Sequence, residues 1–79
     1  MNLNQEFVAE FELLNLFELS SAQQGLKIHH DADPDRLAAA KRLFDKDLTT
    51  LVDGGYLTPL GVQAAEHVQS LVTIMQFRK

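Results

Sequence analysis

Apolar residues recur at helical spacing in four stretches of the chain, and short polar or glycine-containing segments separate them. The pattern predicts helices over residues 4–18, 22–29 and 34–53, and a fourth helix that begins at Pro59. Only the dipeptide Tyr56-Leu57 is predicted to be extended, which leaves room for at most a vestigial strand pair. The predicted fold class is therefore all-α, a compact four-helix domain that occupies residues 1–79 as a single unit.

Local signals mark the predicted helix ends. They are Ser20-Ser21, Asp33-Pro34, Gly54-Gly55 and Thr58-Pro59. A serine, aspartate or threonine side chain can accept from the unpaired amides of a first turn, and proline fits the first helical position. The two glycines predict a helix stop with positive φ. Gly61 stands where a capping box would place glutamate or glutamine, so we expect a neighbouring helix to approach it closely.

The apolar stripes predict which helix faces turn inward. The stripe of the third helix is Leu37, Ala40, Phe44, Leu48 and Leu51, and that of the fourth is Leu60, Ala64, Val68, Leu71 and Met75. The first helix carries Phe7, Phe11 and Leu14 on one face, with Glu10 close to that face. We expect these stripes to form the core.

Size and composition limit the class of protein. The chain has 79 residues, no cysteine and a net charge of −4, so neither disulfides nor thiolate metal sites can support it. Domains this small have a thin stability margin, which makes dimerisation an expected source of further stability. The N-terminus lacks the features of a secretory signal and no apolar run is long enough to span a membrane. We therefore expect a cytoplasmic protein.

Residues 51–61, Leu-Val-Asp-Gly-Gly-Tyr-Leu-Thr-Pro-Leu-Gly, carry a family resemblance. The segment resembles winged-helix DNA-binding domains, in particular MarR-type regulators, in which a recognition helix ends in a similar run before a Leu-Thr-x-x-Gly opens the last helix. Here the two runs adjoin, so the β-hairpin wing is expected to be absent or reduced to one turn. The resemblance covers residues 37–61 and implies a helix-turn-helix-like order. The whole chain also resembles a small uncharacterised bacterial family.

If this resemblance holds, the third predicted helix is the candidate recognition helix. Arg42 could then pair with a guanine edge, Lys46 and Thr49 could reach phosphates, and Arg36 would lie at the rim. Aspartates share that face, however, and the chain lacks a strongly basic patch. The competing interpretation is a solvated helix face with internal ion pairs.

Protein association is the alternative function. Val62, Ile74 and Phe77 lie away from the main stripe of the fourth helix, so its last turns are apolar on more than one side. Such a helix can pack against its copy in a homodimer or against another protein. Alternatively, Ile74 and Phe77 fold back onto the first helix. DNA and protein partners both remain open.

Catalytic or metal chemistry is not predicted. His29, His30, Asp31 and Asp33 are the only cluster of ligand-type residues, and adjacent histidines in an extended loop suit one metal poorly. No glycine-rich phosphate loop and no nucleophile-elbow serine is present. We expect a non-enzymatic protein without a cofactor, a metal or a small-molecule substrate.

Overall fold

The computed structural model describes residues 3–20 and 25–76, which form three α-helices and a three-stranded antiparallel sheet. In chain order the elements are α1 (Gln5–Leu14), β1 (Leu26–Lys27), α2 (Pro34–Asp45), β2 (Thr49–Leu51), β3 (Gly54–Leu57) and α3 (Pro59–Gln76). The prediction of an all-α, four-helix domain with at most a vestigial strand pair is therefore wrong.

The sheet has the order β1-β3-β2, with β3 in the middle. Leu26 of β1 pairs with Gly55, while Thr49 and Leu51 of β2 pair with Leu57 and Gly54 across a register shift. The sequence predicts a helix over β2 because Leu51 continues the helical stripe. The residues around it, threonine, threonine and valine, are β-branched and favour a strand.

The third predicted helix ends at Asp45 rather than at residue 53. Lys46 caps α2, and Asp47 takes a φ of 66°, in the left-handed region that turns a chain out of a helix. The amide of Leu48 then donates to the carbonyl of Leu43 at 3.0 Å. This turn directs the chain into the β2–β3 hairpin.

The second predicted helix is not formed over the part of it that the structure describes. Residues 21–24 lie outside the described residues, whereas Leu26 and Lys27 are strand and the amide of Ile28 donates to the carbonyl of Asp53 at 2.9 Å. Gly25, just before β1, lies close to the neighbouring strand, since a Cβ there would lie 2.8 Å from the carbonyl oxygen of Gly55. The close approach of two strands explains this glycine.

Two of the predicted cap signals are confirmed. Asp33 accepts from the amide of Asp35 at 2.9 Å, and Pro34 takes the first position of α2. The Thr58 hydroxyl accepts from the amide of Gly61 at 3.0 Å at the start of α3. The Ser20 hydroxyl instead donates to the Glu18 carboxylate at 2.6 Å, and Ser21 lies outside the described residues.

The positive φ predicted for the two glycines at residues 54 and 55 is confirmed, but their predicted position at the end of a helix is wrong. Gly54 and Gly55 have φ values of 121° and 78°, but they lie in strand β3 and not at a helix end. A Cβ on Gly61 would overlap the carbonyl oxygen of Leu48. The predicted close approach at Gly61 is therefore real, and the group that approaches it is backbone in the turn after α2.

The core lies where the three helices meet the sheet. Its buried apolar residues are Leu13, Leu14, Phe17, Ile28, Ala39, Ala40, Leu43 and Ala65. Phe44 and Leu51, which the predicted stripe places inside, are exposed. Leu51 lies in β2 because the chain leaves the helix after Asp45, whereas Phe44 lies in the last turn of α2 on a side that the core does not cover. α1 also ends early, at Leu14 instead of residue 18.

Candidate functional site

A buried carboxylate joins α1 to α2. The Glu10 side chain on α1 is only about 5% exposed, and it accepts from the Arg42 Nε at 2.7 Å and from the Lys46 Nζ. The Lys46 ammonium also lies 4.9 Å from the centre of the Phe7 ring, a cation–π geometry. One carboxylate is thus shared by two cations, and this cluster carries a net charge of +1.

This cluster changes the role of two predicted DNA-contacting residues. Arg42 was placed on an outward face, but that face of α2 packs on α1, as the fully buried Ala39 shows. The Arg42 side chain is about a quarter exposed, and its guanidinium also donates through Nη2 to the Glu6 carbonyl at 3.3 Å. Arg42 and Lys46 therefore neutralise a carboxylate of their own chain.

The other two predicted DNA-contacting residues are separated from this cluster. Thr49 is buried at the start of β2, where its hydroxyl donates to the Leu51 carbonyl at 3.2 Å. Arg36 is exposed in the first turn of α2 and pairs with no acidic group among the described residues. Elsewhere on the exposed surface of α2, Lys41 donates to Asp45 at 3.0 Å, so part of the positive charge of this helix is already compensated.

Helix α3 places less of its surface inside than its sequence pattern predicts. Within the described residues, its buried positions are Gly61 and Ala65. Three residues of the predicted core stripe, Leu60, Leu71 and Met75, are instead more than half exposed. The side of α3 that faces the core therefore differs from the predicted one. It is the side with Gly61, because Gly61 is the residue that fits against the Leu48 carbonyl.

Exposed residues of α3, together with the partly buried Ala64, form a regular stripe that shares Leu60, Ala64 and Leu71 with the predicted core stripe. We name it the α3 stripe, and it consists of Leu60, Ala64, His67, Leu71 and Ile74. Its steps of four, three, four and three residues are the spacing of a two-helix coiled-coil contact. Leu71 is 58% and Ile74 is 65% exposed. The spacing of the α3 stripe is visible in the sequence. A core-facing stripe that includes Val68 fits the same helix equally well, however, so the sequence does not distinguish the two stripes.

An apolar groove of about 440 Å³ runs beside the α3 stripe, between α1 and α3. Phe7 and Phe11 line one side and Val68 and Val72 the other, while Leu43 and Leu48 contribute to its lining. The polar groups at the groove are Glu10, Lys46 and His67. The groove and the α3 stripe share Ala64, His67 and Leu71, so together they form one continuous, mainly apolar surface.

The predicted partner-interface residues do not lie together. Ile74 belongs to the α3 stripe, whereas Val62 lies about 120° around the helix from it at 100° per residue. Val62 is partly exposed on that other flank. Phe77 lies outside the described residues. Of the three, Ile74 is the residue that belongs to the α3 stripe, and it also lines an open cavity with Leu19 and Thr73 on the other flank of the helix.

The remaining charged groups form local contacts. Lys27 Nζ donates to Asp53 Oδ2 at 2.8 Å across the sheet, and this hydrogen bond holds the pKa of the Asp53 carboxyl below its ordinary value. His29 and His30 are exposed in the loop before α2. Among the described residues no three histidine, cysteine, aspartate or glutamate side chains converge on a common point that could hold a metal ion.

None of the helices in residues 3–20 and 25–76 is both long and apolar enough to cross a membrane. No curated protein and no solved structure matches the chain. A family model described as a family of unknown function, DUF5669, matches residues 1–76. Because that match covers nearly the whole chain, the protein belongs to the DUF5669 family.

Proposed function

We propose that this domain is a non-enzymatic association module that pairs with a second copy of itself through the α3 stripe. The observation that supports this proposal is the continuous apolar surface of α3 and the adjoining groove. Soluble monomers rarely leave large contiguous apolar patches in water. A second copy would cover this surface.

The amount of exposed surface supports a missing partner. A compact monomer of 8.9 kDa is expected to have an accessible surface of about 4,800 Å². This chain has 5864 Å², which exceeds that value by about 1,000 Å². One side of a standard protein interface buries about 800 Å². The excess is therefore of the size that one interface would remove.

The distribution of charge favours a second copy as the partner. The whole chain carries a net charge of −4, so two copies repel each other over most of their surface. Helix α3 is different, because its 18 residues include one acidic residue, Glu66, and no lysine or arginine. Two copies can therefore approach along α3 with little repulsion.

The geometry of the stripe suits a twofold contact. An 18-residue helix is about 27 Å long, so the five stripe positions extend over four helical turns. In a twofold dimer the same surface serves both partners and must be complementary to itself. A stripe with leucine and isoleucine towards its ends and the small Ala64 within it allows two helices to pack closely.

Sedimentation velocity over a range of concentrations tests the proposal. We expect a monomer–dimer equilibrium for the unmodified protein, and at least a tenfold higher dissociation constant for Ile74→Lys, because the lysine would place an ammonium in the apolar contact. The control is Val52→Lys, which changes another β-branched residue that is 50% exposed, in the β2–β3 turn. That variant should dimerise like the unmodified protein.

The outcomes separate the alternatives. A protein that stays monomeric at every concentration, with or without Ile74→Lys, contradicts self-association. Dimers that survive Ile74→Lys but dissociate on Val52→Lys would place the contact on the hairpin instead. Capture of a different protein that Ile74→Lys prevents, without any dimer, would replace the second copy with that partner.

DNA binding, the resemblance to winged-helix regulators and the cytoplasmic location stay predictions. The pairing of Arg42 and Lys46 with Glu10 gives DNA binding less support than self-association receives. Fluorescence anisotropy with duplex DNA at low salt tests it. Binding that weakens steeply as salt rises and that Arg36→Ala reduces would favour DNA.

A further inference from the structure

We propose that the apolar groove between α1 and α3 binds an amphipathic monocarboxylate, a molecule with an unbranched hydrocarbon body and one anionic head group. The hydrocarbon would lie along the groove, and the carboxylate would accept from the Lys46 ammonium. One chain supplies every residue that lines the groove, so this inference goes beyond the proposed self-association and does not depend on it.

The groove has the size and the lining of a ligand site. Its volume of about 440 Å³ falls within the range of about 300–1,000 Å³ that small-molecule sites occupy. Nine of its twelve lining residues are apolar, and the other three are Glu10, Lys46 and His67. Mainly apolar walls with a few polar groups are typical of ligand sites. Burial of a hydrocarbon body would therefore provide most of the free energy of binding.

The two long walls of the groove suit an extended chain. On α1, the rings of Phe7 and Phe11 stack with their centroids 6.1 Å apart and their planes 23° apart. On α3, Val68 and Val72 form the opposite wall. The residues of each pair are four positions apart, so each wall extends about 6 Å along its helix. An unbranched hydrocarbon can contact both walls along this length.

The charged groups at the groove favour an anion. Arg42 and Lys46 share the buried Glu10 carboxylate, so this cluster keeps a net charge of +1. An ammonium has three N–H donors, and among the described residues the Glu10 carboxylate is the one acceptor of the Lys46 ammonium. The Lys46 side chain is 44% exposed, so it has donors left for a ligand carboxylate. Asp47 follows it in the chain but is exposed, where water screens its charge.

The cation–π contact connects the charged group to the apolar wall. The Lys46 ammonium lies 4.9 Å from the centre of the Phe7 ring. A carboxylate bound to this ammonium would therefore lie beside the aromatic wall of α1. The hydrocarbon attached to it could then follow the same wall into the groove.

The overall charge of the chain predicts a different preference, which makes the head group of the ligand informative. At a net charge of −4, the chain repels anions and attracts cations over most of its surface. Without a specific site at Lys46, an alkylammonium should bind more tightly than the carboxylate of the same chain length. The proposed site reverses this order.

Isothermal titration calorimetry with octanoate, decanoate and dodecanoate, each below its micelle-forming concentration, tests the inference. We expect saturable binding of one ligand per chain. The dissociation constant should fall between about fourfold and about fifteenfold for every two added methylenes, where the lower value corresponds to burial of half of the added surface. Decanoate should also bind more tightly than decanol or decylammonium.

Two matched pairs of variants locate the ligand, with circular dichroism to verify folding. Leu71→Glu places a carboxylate at the exposed edge of the groove and should raise the dissociation constant of decanoate at least about tenfold. Ile74→Glu makes the same change in the α3 stripe outside the groove and should leave that constant unchanged. Lys46→Gln should abolish the preference for decanoate over decanol, whereas Lys41→Gln, on the exposed surface of α2, should retain it.

The outcomes distinguish this inference from the proposed function. Absence of saturable binding, or an affinity that does not depend on chain length, overturns the groove as a ligand site whether or not the chain dimerises. Equal effects of Leu71→Glu and Ile74→Glu overturn it as well. Decanol or decylammonium that binds as tightly as decanoate overturns the anionic ligand, and so does a preference that survives Lys46→Gln. A chain that stays monomeric but binds decanoate as expected contradicts self-association alone.

Discussion

The α1–α2 contact and the outer face of α3 reverse the usual division between the inside and the surface of a protein. Between α1 and α2, the carboxylate of Glu10 is buried with Arg42 and Lys46 around it. On the outer face of α3, leucine and isoleucine side chains lie in water. Charged groups close the contact that the chain makes with itself, and apolar groups occupy the surface that it leaves open.

The two regions teach different things about the molecule. A buried charge pair adds little net stability over an apolar contact of the same shape, but it strongly penalises any packing that separates its partners. It therefore fixes how α2 docks on α1. An exposed apolar face has no such selectivity. The free energy of burying its apolar surface is gained only when another surface covers it. The first region specifies the fold, and the second is available for binding.

The largest expected effect comes from the inner side of α3. Gly61→Ala should lower the free energy of unfolding by about 3 kcal/mol, because the new methyl group would overlap the Leu48 carbonyl and force the backbones apart. Urea denaturation followed by circular dichroism measures the change. Ser70→Ala, at an exposed position of the same helix, is the control and should stay within about 0.5 kcal/mol. Equal stabilities of the two variants would contradict the close approach.

The second effect tests the charged contact. Glu10→Gln should cost about 2 kcal/mol, less than the loss of a fully buried pair, because Arg42 and Lys46 are partly exposed and can turn towards water. The matched control is Glu12→Gln on the exposed side of α1, with little expected change. A Glu10→Gln variant as stable as the control would show that the ion pairs do not hold α1 and α2 together.

These two residues also show what the sequence could and could not predict. Gly61 was predicted to be approached closely because its role is local: it follows a threonine cap and stands where a capping box needs a long side chain. Glu10 was noted only as a polar residue near an apolar face. Its partner Arg42 is 32 residues away, and no local pattern connects them.

The sheet was missed for the same reason. β1 and β2 have two and three residues, too few to establish a period of two, and a helical stripe could be drawn through Leu48 and Leu51. Leu26 of β1 pairs with Gly55 of β3. These two residues are far apart in the sequence, and only folding brings them together. The exposed face of α3 could not be predicted from the sequence either, because its exposure depends on which part of α3 is left uncovered by α1.

A smaller effect tests the outer face of α3. Leu71→Lys should change the stability of the monomer by less than about 0.5 kcal/mol, because this side chain is more than half exposed and the lysine stem can cover the same surface. The measurement is urea denaturation at a protein concentration low enough to exclude dimers. A loss comparable to that of Glu10→Gln would mean that α3 packs on its own chain through this face.

The smallest effect concerns an exposed ion pair. The hydrogen bond from Lys27 holds the pKa of Asp53 lower in the folded than in the unfolded chain, so its contribution is present above the ordinary aspartate pKa of about 3.9. It is lost as pH falls through the folded value. Asp53→Asn should therefore be slightly less stable than the unmodified protein at about pH 7, and this difference should shrink as the pH falls to about 3. Urea denaturation at both pH values measures this, and a difference that persists in acid would assign it to another cause.

One side chain of α3 makes the completion of α1 depend on the far end of the chain. The Gln69 amide donates to the carbonyls of Leu14 and Phe17, at 3.1 and 2.8 Å, across 55 and 52 residues of sequence. Carbonyls at a helix end need such donors or water. During synthesis, these two hydrogen bonds can therefore form only after residue 69 has left the ribosome, and water solvates both carbonyls until then. The junction between α1 and α3 is thus completed later than contacts between residues that are close in sequence.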